Sequence, residues 1–108
     1  LRQNALEIGN WLKEKLEALK ESFPLIGDVR GEGLFLGVEL VIDPETREPA
    51  PLQAGYVVER MKSRKILLST EGPGHNVLKF KPPMVFNQRD AQHLLAELEQ
   101  VLGESPLQ

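Results

Sequence analysis

Residues 28–42 read Asp28-Val29-Arg30-Gly31-Glu32-Gly33-Leu34-Phe35-Leu36-Gly37-Val38-Glu39-Leu40-Val41-Ile42, and the fold turns on how this stretch divides. Gly31-Glu32-Gly33 puts glycine where a tight turn needs positive φ, so Asp28 to Gly31 and Leu34 to Ile42 read as two strands joined there. The second is the better strand. Leu34, Leu36, Val38, Leu40 and Ile42 share one face of its pleat, which is expected to be core, while Phe35, Gly37, Glu39 and Val41 share the other. Gly37 leaves room for a neighbouring backbone or ring.

Upstream, Leu1, Ala5, Ile8, Leu12, Leu16, Leu19 and Phe23 recur at three- and four-residue steps and form one apolar stripe on a helix that Pro24 stops. Glu14, Lys15, Glu17, Lys20 and Glu21 fall mostly off the stripe and read as a solvated face. Leu1 opens directly into this periodicity with neither an initiator Met nor a cap, which is what a domain excised from a longer chain would show.

Downstream, Asp43-Pro44-Glu45-Thr46 and Pro49-Ala50-Pro51 form an exposed polar connection. Leu52 to Lys65 returns to helical spacing through Ala54, Val57, Val58 and Met61, with basic residues near its end. Ile66 to Ser69 is a short apolar strand, and Thr70 to Asn76 is too rich in turn residues for regular structure. Val77 to Lys81 resumes as a strand, with Leu78 and Phe80 on one side and Val77, Lys79 and Lys81 on the other, until Pro82-Pro83 ends the ladder. Asn87 caps a last helix carrying Asp90 at its third position, with Ala91, Leu94, Leu95, Leu98, Val101 and Leu102 on its apolar face and Gly103 as its stop. The order α-β-β-α-β-β-α predicts one α+β domain over residues 1–103, with a small, mostly antiparallel sheet, helices on one face, and a loose tail over 104–108.

Composition narrows the function classes. The 108 residues carry a net charge of −3 with the charges mixed, and no basic block tracks a phosphate backbone, so nucleic acid is not an expected partner. No apolar run reaches the roughly 20 residues of a membrane span, and no signal pattern opens the chain. With no cysteine and only His75 and His93, disulfides, thiol chemistry and a zinc site are not expected, and a cytoplasmic setting fits.

Several motifs have plainer readings. Gly31, Gly33 and Gly37 are one residue too widely spaced for a dinucleotide fingerprint and lead into a strand. Phe35 is the lone aromatic of its face, which argues against a base-stacking sheet. His75 in its glycine-rich loop and His93 beside Leu94 read as solvated positions, since no nucleophile or acid is placed to complete a triad. Lys79-Phe80-Lys81-Pro82-Pro83-Met84 is less bland. Two lysines project from one strand face just before a double proline, either to meet an anion or to guard an edge against aggregation.

Val29 to Leu40, followed about 40 residues later by Lys79-Phe80-Lys81-Pro82-Pro83-Met84, resembles the C-terminal small domain of class III pyridoxal-phosphate aminotransferases, and the likeness spans nearly the whole chain. Within that class, Leu68 to Met84 most resembles the phospho-lyase branch, which acts on phosphoethanolamine or phosphohydroxylysine. The resemblance implies the small-domain fold of fold-type I enzymes and a substrate-binding role for Lys79, where ornithine-type members carry an arginine that grips a carboxylate. Lysine is a point charge without the planar fork. It also implies that the Schiff-base lysine, the aspartate facing the pyridine nitrogen and the phosphate cup lie in a large domain of the parent, since Lys13, Lys15 and Lys20 sit in no matching motif. The chain would then hold no catalytic, cofactor or metal residues, be inactive alone, and shape the substrate entrance of a homodimeric parent. Its partners would be the large pyridoxal-phosphate domain of the same chain and a small anionic amine. The competing expectation is a regulatory or protein-interaction module, because an α+β sheet of this kind does not dictate function.

Overall fold

In the computed structural model, which describes residues 2–82 and 85–108 (residues 2 and 3 by backbone alone), the expected hairpin forms but its turn is Gly33-Leu34, with φ of 57° at Gly33, while Gly31, at φ 117°, and Glu32 stay in the first strand and pair with Leu36 and Phe35. Leu1, Pro83 and Met84 lie outside the described residues. The elements run α1 (Arg2–Leu19), β1 (Ile26–Glu32), β2 (Phe35–Leu40), α2 (Pro51–Ser63), β3 (Leu68–Glu71), β4 (Val77–Phe80) and α3 (Gln88–Leu102). The four strands make one antiparallel sheet in the order β1-β2-β4-β3. Leu12, Leu16, Val57, Met61, Leu94 and Leu98 from the three helices bury against Val29, Leu36, Val38, Leu40 and Leu78 of the sheet. The α+β class and element order follow from the sequence periodicities. No helix among the described residues is long and apolar enough to cross a membrane.

Some boundaries differ for local reasons. β1 begins two residues early, at Ile26, and contains a bulge between Ile26 and Asp28. That bulge seats Val41: a Cβ on Gly27 would lie 2.8 Å from Val41 Cγ1. β2 consequently ends at Leu40, and the expected alternation fails beyond it, leaving Val41 fully buried and Ile42 54% exposed. Leu34 is only half-buried because it belongs to the turn. α1 stops at Leu19, and Lys20 to Phe23 unwind through tighter turns before Pro24. α2 starts at Pro51, whose missing N–H is no loss in a first helical turn. β3 runs from Leu68 to Glu71, so Thr70 and Glu71, read as loop, pair with Leu78 and Val77. Asn87 and Asp90 form the reciprocal capping box of α3, at 2.9 and 3.0 Å. Gly103 ends α3 at φ −84°, without using glycine's left-handed freedom.

A buried amide sets the register of the central pair. Asn76 is 4% exposed; its Nδ2 donates to the Leu40 carbonyl at 2.8 Å, and its own carbonyl accepts from the Leu40 N–H at 2.8 Å. The turn residues around it hide this polar role in the sequence.

The segment after Gly103, read as a loose tail, is tied down. Ser105–Leu107 form a 3-10 turn, and Glu104 accepts hydrogen bonds from Tyr56 Oη, from Arg60 Nε at 2.8 Å and from Arg60 Nη2 at 2.7 Å. Arg64 approaches Glu104 at 3.5 Å and donates to Glu97 at 2.8 Å. The sequence concealed this clamp because its partners stand more than 30 positions apart. Hydrogen bonds from Arg60 and then Tyr56 hold the Glu104 carboxyl down at about 2, against an ordinary 4.5. The Glu104 carboxylate in turn raises both Arg60 and Tyr56.

Asn76→Ala should destabilise the chain by about 1–2 kcal/mol in chemical denaturation, the lower part of that range being favoured because Leu40 O keeps the Ala50 N–H. For Glu104, the depressed carboxyl contributes stability that is fully present above 4.5 and lost as pH falls through about 2. Glu104→Gln should therefore melt below the unmodified chain at neutral pH, and the gap should narrow in acid and close near pH 2. A gap independent of pH would exclude the carboxylate as its source.

Candidate functional site

The helices cover one face of the sheet. The other face carries Asp28, Arg30 and Glu32 from β1, Phe35, Gly37 and Glu39 from β2, Val77 and Lys79 from β4, and Ser69 and Glu71 from β3, as the pleat and the pairings dictate. One row runs straight across it: Arg30 pairs with Gly37, Gly37 with Lys79, and Lys79 with Ser69. The sheet thus holds Lys79 on the face that strand alternation predicted and, because β4 lies between β2 and β3, away from the sheet edges that the edge-guarding reading required.

The charges around it are unequally committed. Arg30 contacts Asp28 at 3.3 Å and Glu39 at 3.8 Å, and Glu39 is shared with Arg47. Those four side chains neutralise one another. The half-buried Lys79 has no hydrogen bond or ion pair among the described residues. Its ammonium lies beside Gly37, 3.6 Å from where a Cβ would stand. Opposite, Ser69 Oγ is buried with no hydrogen-bond partner among the described residues. The row thus carries, among the described residues, an unpaired cation leaning toward β2 and an unpaired hydroxyl on β3, and a buried hydroxyl is costly when left unmatched. Phe35, 80% exposed, adds an apolar end to this face.

The second lysine goes elsewhere. β4 ends at Phe80, and Lys81 is exposed beyond it, held to Leu67 by its backbone N–H at 3.3 Å. Lys81 lines a groove of about 460 Å³ with Lys65, Phe80, Phe86, Asp90 and His93. The expected pair of cations on one strand face is therefore a single cation, because Pro82 interrupts the ladder and the chain leaves the pleat. His75 sits exposed in the β3–β4 turn at φ 51°, and His93 is exposed on α3. The structure brings neither to Lys79. Among the described residues no cluster of three or more His, Asp or Glu could hold a metal ion.

Comparison with known proteins gives a consistent result. The family model described as "Aminotransferase class-III" matches residues 1–102. The chain is 47% identical over 103 residues to an alanine–glyoxylate aminotransferase 2-like protein of Drosophila melanogaster, covering 94% of this chain and 21% of that protein. It is 42% identical over 105 residues to an ethanolamine-phosphate phospho-lyase homolog of Caenorhabditis elegans, covering 93% and 22%. Among solved structures, a phospholyase from Arthrobacter in complex with phosphoethanolamine superposes with a TM-score of 0.89 at 37% identity, over 95% of this chain and 24% of that one. The chain thus spans about a fifth of the length of the curated relatives it matches.

Proposed function

Because the chain belongs to the class-III aminotransferase family, we propose that it is the C-terminal small domain of a pyridoxal-phosphate-dependent aminotransferase or phospho-lyase. In this reading its uncovered sheet face shapes the substrate entrance, with Lys79 supplying positive charge to a small anionic amine. The observation that carries the proposal is the half-buried Lys79 at the centre of that face, without a partner among the described residues. A cation in such a position attracts an oxyanion more strongly than one in bulk water, since the surrounding sheet screens it less.

The start of α3 does not suit the cofactor's phosphate, because the Asp90 carboxylate of its capping box places a negative charge there. We assign the cofactor, and the catalytic lysine that holds it, to the large domain of the parent, which is also this domain's partner. The parent acts as a cytoplasmic homodimer in this reading, and the chain alone is inactive.

Two activities share the family, and Lys79 favours one. Lysine lacks the fork with which arginine clamps a carboxylate but still binds phosphate as a point charge, so the phosphate-eliminating branch suits it better. The likeness to the phosphoethanolamine-bound Arthrobacter structure supports the same choice.

In the full-length parent, Lys79→Ala should raise KM for the anionic amine about 10- to 100-fold, the range expected for losing a hydrogen bond to a charged group. Unchanged kinetics would remove Lys79 from the site. Titrated with pyridoxal phosphate, the isolated chain should develop no stoichiometric cofactor band in its absorbance spectrum, only weak nonspecific lysine imines. A saturable one-to-one band would place the cofactor site in this chain.

A further inference from the structure

Lys79 occupies its position because the residue beside it has no side chain. Gly37 is its cross-strand partner, and a Cβ built on Gly37 would stand 3.4 Å from Lys79 Cε and 3.6 Å from Nζ. Paired strands are about 4.8 Å apart. A lysine standing upright on β4 would carry its ammonium away from β2, so the stem must lean sideways across the strand. The slot over Gly37 is bounded on its far side by Arg30, whose guanidinium is engaged by Asp28 and Glu39. The ammonium is therefore the one uncommitted charge in the row among the described residues.

We propose, resting on the substrate-binding role of Lys79 given above, that Gly37 is a specificity-determining position, whose missing side chain lets Lys79 present its ammonium over β2 to the oxyanion of a small amine. Gly37 acts through Lys79 and is a positioning residue. The ammonium is a point charge with three donors, so it attracts the more highly charged phosphate monoester more strongly than a carboxylate.

The geometry grades the substitutions. A methyl at position 37 meets Lys79 at ordinary contact distance and is tight only against Val77 Cγ1, at 3.1 Å. A valine, which suits a strand, would fill the space where the lysine stem lies. The test is run on the full-length parent, with inorganic phosphate and acetate as competitive inhibitors against the amine substrate. Val77→Ala is included as a background to relieve the tight contact, and thermal melts confirm folding. Gly37→Ala should weaken phosphate inhibition by less than about 3-fold, and Gly37→Val by about 10-fold, with acetate changing less than about 3-fold. Once Lys79 is alanine, Gly37→Val should add nothing, because the residue it positions is gone. An equal loss with and without Lys79 would overturn the proposal, since it would reflect packing alone. An acetate loss matching the phosphate loss would overturn the preference for phosphate. If Lys79→Ala itself leaves phosphate inhibition unchanged, the broader reading of Lys79 falls. If Lys79→Ala weakens inhibition while Gly37→Val does not, that reading stands and the role of Gly37 is wrong.

Discussion

The two hydrogen bonds between Asn76 and Leu40 decide what the rest of the sheet presents. They lock the start of β4 to the end of β2 at one pairing, and every later residue of β4 takes its face from that choice. A slip of one residue would turn Lys79 into the core and Leu78 out to solvent. The arrangement is economical in side chains but demanding in geometry, because the amide is buried and has little alternative partner. One polar residue in a turn thus governs the polarity of a strand.

The uncovered face follows from the same register. It combines a glycine, a lysine and, toward the β3 edge, a buried hydroxyl, the last two without a partner among the described residues, flanked by an acid–base group that consumes its own charge. Packing alone does not require such a combination, whereas the opposite face is filled by aliphatic side chains from three helices. The chain belongs to the class-III aminotransferase family, and the proposed function gives the contrast a reason: one face serves the fold's own stability and the other is left to the substrate entrance.

Most of the architecture was legible in residue spacing. The stripes of α1 and α3, the glycine-bearing hairpin of β1 and β2 and the Asn87 cap each depend on neighbours within a few positions, and each forms, with the turn of the hairpin moved to Gly33-Leu34. Failures cluster where distant partners intervene. Val41 exchanges places with Ile42 because a bulge in β1 makes room beside Gly27. Lys81 leaves the face of Lys79 because the strand stops one residue sooner than its apolar pattern implies. Of the site, the orientation of Lys79 could be read from alternation, but its lean across Gly37 and the solitary hydroxyl of Ser69 could not. Those depend on which strand lies next to β4, and local sequence carries no statement of strand order.

The Glu104 clamp bears on how the site would behave in motion. It joins α2 and its C-cap to the end of α3 through Tyr56, Arg60 and Arg64. With both helices packed on the sheet, such a fastening suppresses sliding between them. The fold is then a lever rather than a spring: a force applied to either helix would move the Lys79 charge and its neighbours as one piece.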